Sequence, residues 1–136
     1  MSKIFVDTNI FVYTIDRDLP AKQRRAQEAI ASARGKDQLV VSTQVMQELY
    51  AVITRKKGLN LVLAKETVRR LEHMEVVTVT PELIWEAIDC SVLSGISFWD
   101  ALIVVSAESA RCERIWTEDL QEGQVIRGVR VENPFV

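Results

Sequence analysis

Four acidic residues stand where a strand–turn–helix pattern would carry them to one edge of a sheet. They are Asp7 in Val6-Asp7-Thr8-Asn9-Ile10, Glu48 in Met46-Gln47-Glu48-Leu49, Asp100 in Phe98-Trp99-Asp100-Ala101-Leu102-Ile103, and Asp119 in Thr117-Glu118-Asp119-Leu120. Asp7 ends an apolar run, Asp100 opens an apolar helix, and Asp119 follows the last clear strand and turn. Glu48 interrupts the helical stripe of Val45, Leu49, Val52 and Ile53, so it points inward or along the border of that stripe. Carboxylates that converge at low dielectric repel one another, and their convergence makes sense mainly around a cation. Oxygen donors with no Cys or His cluster suit Mg2+ or Mn2+, and such ions go with phosphate chemistry.

Each acid also has a plain structural role open to it. Asp7 or Asn9 can cap a helix. Ser97-Phe98-Trp99-Asp100 has the form of a capping box. Asp119 can be a turn acid with Thr117 as a local cap. Glu48 has no such outlet, because a buried Glu needs a partner. Asp16, Asp18, Asp37, Glu66, Glu72, Glu75 and Glu82 lie in polar surroundings and read as solvated.

The elements that would position the four acids follow from periodicity. Lys3 to Val6, Leu39 to Val41, Val76 to Val79, Arg114 to Thr117 and Val129 to Val131 read as strands, the last a short edge strand. Helices are expected over Ile10 to Ile15, Ala21 to Arg34 with Gly35 at C′, Ser42 or Thr43 to about Lys57, and Leu61 to Met74 with Leu63, Val68 and Leu71 inward. Two more run from Thr80-Pro81 to about Leu93 and from Trp99 to Ala110. Strands alternating with helices imply right-handed crossovers and a mainly parallel sheet of four to five strands. Functional sites in such sheets form at the carboxyl ends of the strands.

The chain of 136 residues suits one domain, 1–136, and its hydrophobic content of 48% is that of a globular protein. Net charge is −2, which argues against holding nucleic acid by bulk positive charge. Cys90 and Cys112 form no CxxC and read as reduced, which points to the cytoplasm. The opening Met1-Ser2-Lys3-Ile4-Phe5-Val6-Asp7 places an acid where a signal peptide would continue its apolar core. Arg55-Lys56-Lys57 is the best candidate for contact with a phosphate backbone, since it shares a helix with Glu48; helix-end charge is the plainer reading. Phe11, Tyr13, Phe98 and Trp99 flank two of the acids, with core packing as the role of most and base stacking or partner binding open to one or two.

Three other acidic-edge folds do not match. A receiver domain wants paired acids after strand 1 and an acceptor Asp after strand 3, where this chain has Val79-Thr80-Pro81. A haloacid-dehalogenase-type phosphatase wants Asp at position 9, which is Asn9. A dinucleotide-binding domain needs a glycine-rich first turn.

At these residues the chain resembles the PIN-domain ribonucleases of the VapC toxin type. The Asp7-Thr8-Asn9-Ile10 opening, the inward Glu48, Trp99-Asp100-Ala101-Leu102-Ile103, Thr117-Glu118-Asp119-Leu120 and the ending from Gly123 to Phe135 occur in that family's order and approximate spacing. The resemblance covers essentially the whole chain and implies a PIN-like three-layer α/β/α sandwich. It implies that Asp7, Glu48, Asp100 and Asp119 form a Mg2+- or Mn2+-binding catalytic site, with Asn9 and Thr117 in support. It further implies hydrolysis of tRNA or ribosomal RNA to 5′-phosphate and 3′-hydroxyl ends, with inhibition of translation and growth. A cognate antitoxin with a basic inhibitory segment, and a homodimer, follow from the same resemblance; helices 42–57 and 61–74 are candidates for the dimer contact. The rival reading is a catalytically silent PIN-like domain that binds RNA or protein.

Overall fold

The computed structural model describes residues 2–136; Met1 lies outside the described residues. Short β-branched runs make the strands: β1 (Lys3–Val6), β2 (Gln38–Ser42), β3 (Glu75–Val77), β4 (Arg114–Trp116), β5 (Val125–Ile126) and β6 (Val129–Glu132). They form one six-stranded sheet in the order β3-β2-β1-β4-β6-β5. All pairings are parallel except β5 with β6. Phe5, Val40, Ile115 and Val131 stand in one row across four strands, and all are fully buried. Each such side chain contributes about 1.5–3 kcal/mol of burial.

The helices are α1 (Thr8–Thr14), α2 (Pro20–Arg34), α3 (Thr43–Arg55), α4 (Leu61–Arg69), α5 (Pro81–Ser94) and α6 (Phe98–Ser109). They fall into two groups: α1 packs on α2 and α3, and α3 on α4, while α5 packs on α6. Both groups pack against the sheet, α2 and α3 on β2, and α6 on β2, β4 and β6. Hydroxyls start several of them: Ser42 accepts from the Val45 amide, Thr80 from Leu83 and Ser97 from Asp100. Among the described residues no single helix is long and apolar enough to cross a membrane.

One consequence of the strand order positions the site. The chain lays β2 and β3 on one side of β1, then returns to place β4 on the other side. The order therefore reverses between β1 and β4, and a crevice opens beyond their carboxyl ends. Asp7 follows β1 and Thr117 follows β4, joined by a hydrogen bond from the Asp7 amide to the Trp116 carbonyl at 3.0 Å.

Several expectations need correction. The sheet has six strands, and its edge is β5, with β6 interior. The β5–β6 hairpin turns through Arg127 and Gly128, both with positive φ (50° and 79°), the pairing a tight two-residue turn requires. A two-residue strand is too short to show alternation. The third strand begins and ends earlier than Val76 to Val79, at Glu75–Val77. On α4 the buried positions are Ala64 and, in the following 3-10 turn, Leu71, with Val68 half-buried between them; Leu63 lies off that stripe and is 57% exposed. Gly35 ends α2 with ordinary right-handed φ (−84°), so its lack of a side chain is not what stops the helix.

Candidate active site

Asp7, Glu48, Asp100 and Asp119 line one cleft of about 270 Å³ at the switch point, together with Thr8, Asn9, Gln44 and Trp99. Four separate elements deliver them. Asp7 sits between β1 and α1, Glu48 in the second turn of α3, Asp100 in the first turn of α6, and Asp119 in the turn after β4. Ala51, Val52 and Ile103 supply an apolar part of the wall.

Asp7 is buried, and both of its carboxylate oxygens are taken. Oδ1 accepts from the Thr8 amide at 2.7 Å, and Oδ2 accepts from the Thr117 hydroxyl at 2.8 Å. It caps α1 and also faces the cleft, so the structural and the functional roles coexist in one side chain. Glu48 is fixed by the Thr8 hydroxyl, which donates to Oε1 at 2.7 Å. Thr8 thus serves both acids at once, its amide bonded to Asp7 and its hydroxyl to Glu48.

Asp100 and Asp119 differ. The Ser97 hydroxyl accepts from the Asp100 amide at 3.1 Å, which is half of a capping box. Among the described residues no bond runs back from the Asp100 carboxylate, so capping does not consume it. The Asp119 amide donates to the Thr117 hydroxyl at 3.0 Å, and its carboxylate accepts nothing from the protein among the described residues. Glu118 points elsewhere: it accepts from the Tyr13 hydroxyl at 2.5 Å and pairs with Lys22 at 2.7 Å.

The electrostatics are those of crowded, partly buried acids. Burial pushes the Asp7 carboxyl up to about 6; the Thr117 and Thr8 hydrogen bonds pull it back, and the nearby Asp119 and Glu48 charges add to the rise. Asp119 is raised by burial first, then by Asp100, Glu118 and Glu48. Among the described residues no three acids stand close enough, as placed, to enclose an ion. They line an open cleft and not a closed cage. An all-oxygen donor set with mutual repulsion still fits a hard divalent cation, which would draw the carboxylates in and reverse the sign of their interaction.

Around the cleft the expectations divide. Asn9 lines it, and Trp99, 62% exposed, stands at its rim against Phe98. Phe11 is core. Arg55 and Lys56 are exposed and carry no ion pair among the described residues, but Lys57 is committed to Asp16 at 2.8 Å. Asp16 is not solvated as expected: it is 4% exposed, and Lys57 holds its carboxyl below the usual range. The sequence left open whether Thr8 joins the site, and Gln44 went unrecognised. Thr8 stood inside the acidic motif, but a Thr at a helix start ordinarily means only capping.

The fold is shared with proteins of known structure. The sarcin–ricin loop cleaving toxin VapC20 of Mycobacterium tuberculosis superposes with a TM-score of 0.69 at 22% identity, covering 85% of this chain and 89% of that one. A toxin–antitoxin complex from Klebsiella pneumoniae gives 0.70 at 19% identity over 96% and 97%. VapBC-1 of nontypeable Haemophilus influenzae gives 0.68 at 18% over 98% and 99%. In sequence, ribonuclease VapC23 of Mycobacterium tuberculosis is 38% identical over 63 residues, 44% of this chain. That match spans about half the length of the relative, 50%. The PIN domain family matches residues 4–123, and with the switch-point acids in place this chain belongs to the PIN domain family.

Proposed function

We propose that this chain is a metal-dependent endoribonuclease that acts as the toxin of a toxin–antitoxin pair. The observation that carries the reading is the convergence of Asp7, Glu48, Asp100 and Asp119 on one cleft at the β1/β4 switch point. Those four acids would hold Mg2+ or Mn2+. Such an ion, when bound, lowers the pKa of a bound water and neutralises charge on a scissile phosphate.

The chain's own groups do the rest. Thr8 and Thr117 fix the directions of the Asp7 and Glu48 carboxylates. The apolar wall around Val52 and Ile103 limits water on one side of the cleft. Trp99 offers an exposed ring on which a base can stack, and Arg55 and Lys56 offer positive charge to the RNA backbone. No histidine is needed as general base: His73 is exposed and far in sequence from every cleft residue. Products carry 5′-phosphate and 3′-hydroxyl ends.

The names of the similar proteins support a VapC-type toxin with an antitoxin partner, and one of them cleaves the sarcin–ricin loop. Ribosomal RNA or tRNA is the proposed substrate class, with inhibition of translation and growth as the result, in the cytoplasm. The antitoxin would block the acidic cleft with a basic segment. A homodimer and a single domain over 1–136 complete the reading.

Purified protein freed of any partner, incubated with total RNA and Mg2+ or Mn2+, tests it. Discrete cleavage of one RNA is expected, abolished by EDTA and by Asp7→Asn. No cleavage together with no metal binding would sink it in favour of a silent PIN-like module that binds RNA or protein.

A further inference from the structure

The four acids leave Gln44 unexplained. It is the second residue of α3, lines the acidic cleft, and is 5% exposed. Its amide nitrogen bridges two elements. It lies 3.3 Å from the Trp99 carbonyl in the first turn of α6 and 3.5 Å from Glu48 Oε2, one turn further along α3. Both acceptors are oxygens, so the amide has one workable orientation; the flipped form would set its carbonyl against them.

That orientation has a cost. Gln44 Oε1 is buried and has no hydrogen-bond partner among the described residues. A buried acceptor without a donor destabilises the fold, and an apolar side chain of the same length would avoid this. A polar residue kept inside at such a cost, between an acid and the start of the helix that bears another acid, is placed for the site.

We infer that Gln44 is a positioning residue of the cation site, tying Glu48 on α3 to the first turn of α6, where Asp100 stands. Glu48 is then held from both sides, by Thr8 at Oε1 and by Gln44 at Oε2. The spacing between the α3 and α6 acids is set through the same amide. This rests on the metal-site reading above and adds to it a residue that acts through Glu48 and the start of α6.

The test is Gln44→Met in the full chain, with Gln44→Leu beside it so that the misfit of one side chain cannot pass for the loss of the donors. Mn2+ binding is read by electron paramagnetic resonance and stability by thermal melting. The expected result is a melting temperature equal to or above wild type, with Mn2+ affinity lower by about tenfold or more, as for other residues that orient metal ligands. RNA cleavage falls in step at subsaturating Mn2+ and recovers in part at high Mn2+. Unchanged Mn2+ affinity overturns the inference. So does a lowered melting temperature or a failure to fold, because a packing role explains both. If wild type binds no more Mn2+ than Asp7→Asn, the metal-site reading itself is wrong and the inference falls with it; binding by wild type and by Gln44→Met alike removes the inference alone.

Discussion

Asp7 and Glu48 form one half of the proposed site, Asp100 and Asp119 the other, and the two halves are built differently. Every carboxylate oxygen of Asp7 and Glu48 has a protein donor: the Thr8 amide, the Thr117 hydroxyl, the Thr8 hydroxyl and the Gln44 amide. The Asp100 and Asp119 carboxylates accept nothing among the described residues, although their backbones are pinned by Ser97 and Thr117. One half is organised by the protein's own donors; the other keeps its carboxylate oxygens free. The acids also sit apart enough that no three enclose an ion as placed. The difference fits the proposed cation site: two acids are held in place by protein donors, and two keep their oxygens for an ion.

The largest effect expected from breaking this contrast is at Asp7. Asp7→Asn should lower RNA cleavage by more than about a hundredfold, since it would remove charge from the proposed ion's ligands. It should also stabilise the metal-free protein. The unfolded Asp7 carboxyl titrates near 3.8 and the folded one near 6, so the folded state binds more protons between them. Stability of metal-free wild type therefore falls as pH rises from about 4 to about 6, by up to about 3 kcal/mol from this group, and is unaffected by it below that window. Urea melts of wild type and Asp7→Asn across that range check this; parallel curves would mean that the burial of Asp7 carries no such cost.

Next in size is Thr117→Val. It frees Asp7 Oδ2 and leaves it buried without its donor. Mn2+ affinity should drop by about tenfold to a hundredfold, measured by calorimetric titration. Asp100→Asn and Asp119→Asn sharpen the contrast from the other side. Each should impair cleavage, yet shift the metal-free melting free energy by only about 0.5 kcal/mol or less. A stability change as large as that of Asp7→Asn would erase the distinction between the halves.

The smallest effects lie in the basic cluster. Arg55→Ala and Lys56→Ala should weaken RNA binding modestly and lower its salt dependence, with stability unchanged. Lys57→Ala should act the other way, costing stability through Asp16 and leaving the salt dependence of binding alone. Binding isotherms at two ionic strengths distinguish them.

Much of this was legible in the residues. The alternation of strands and helices followed from periodicity, apart from β5; the strand-end rule pointed to one sheet edge for the four acids, and their proposed role there came from the family resemblance. Leu63 was misplaced because three consecutive apolar residues, Leu61, Val62 and Leu63, mask which face is inward; the burial of Ala64 resolves it, and a small side chain gives a weak signal. Asp16 looked solvated because its neighbours in sequence are polar, while its partner Lys57 is distant in sequence. The roles of Thr8 and Gln44 depend on contacts between α1, α3 and α6 that local pattern does not encode.

The most direct test is a Mn2+ titration followed by electron paramagnetic resonance, with RNA cleavage assayed on the same samples of wild type and Asp7→Asn. Wild type should bind the ion and cut RNA over the same concentration range, and Asp7→Asn should do neither while remaining folded. Cleavage by wild type that persists in excess EDTA, or full cleavage by Asp7→Asn, would contradict a cation site built from these four acids.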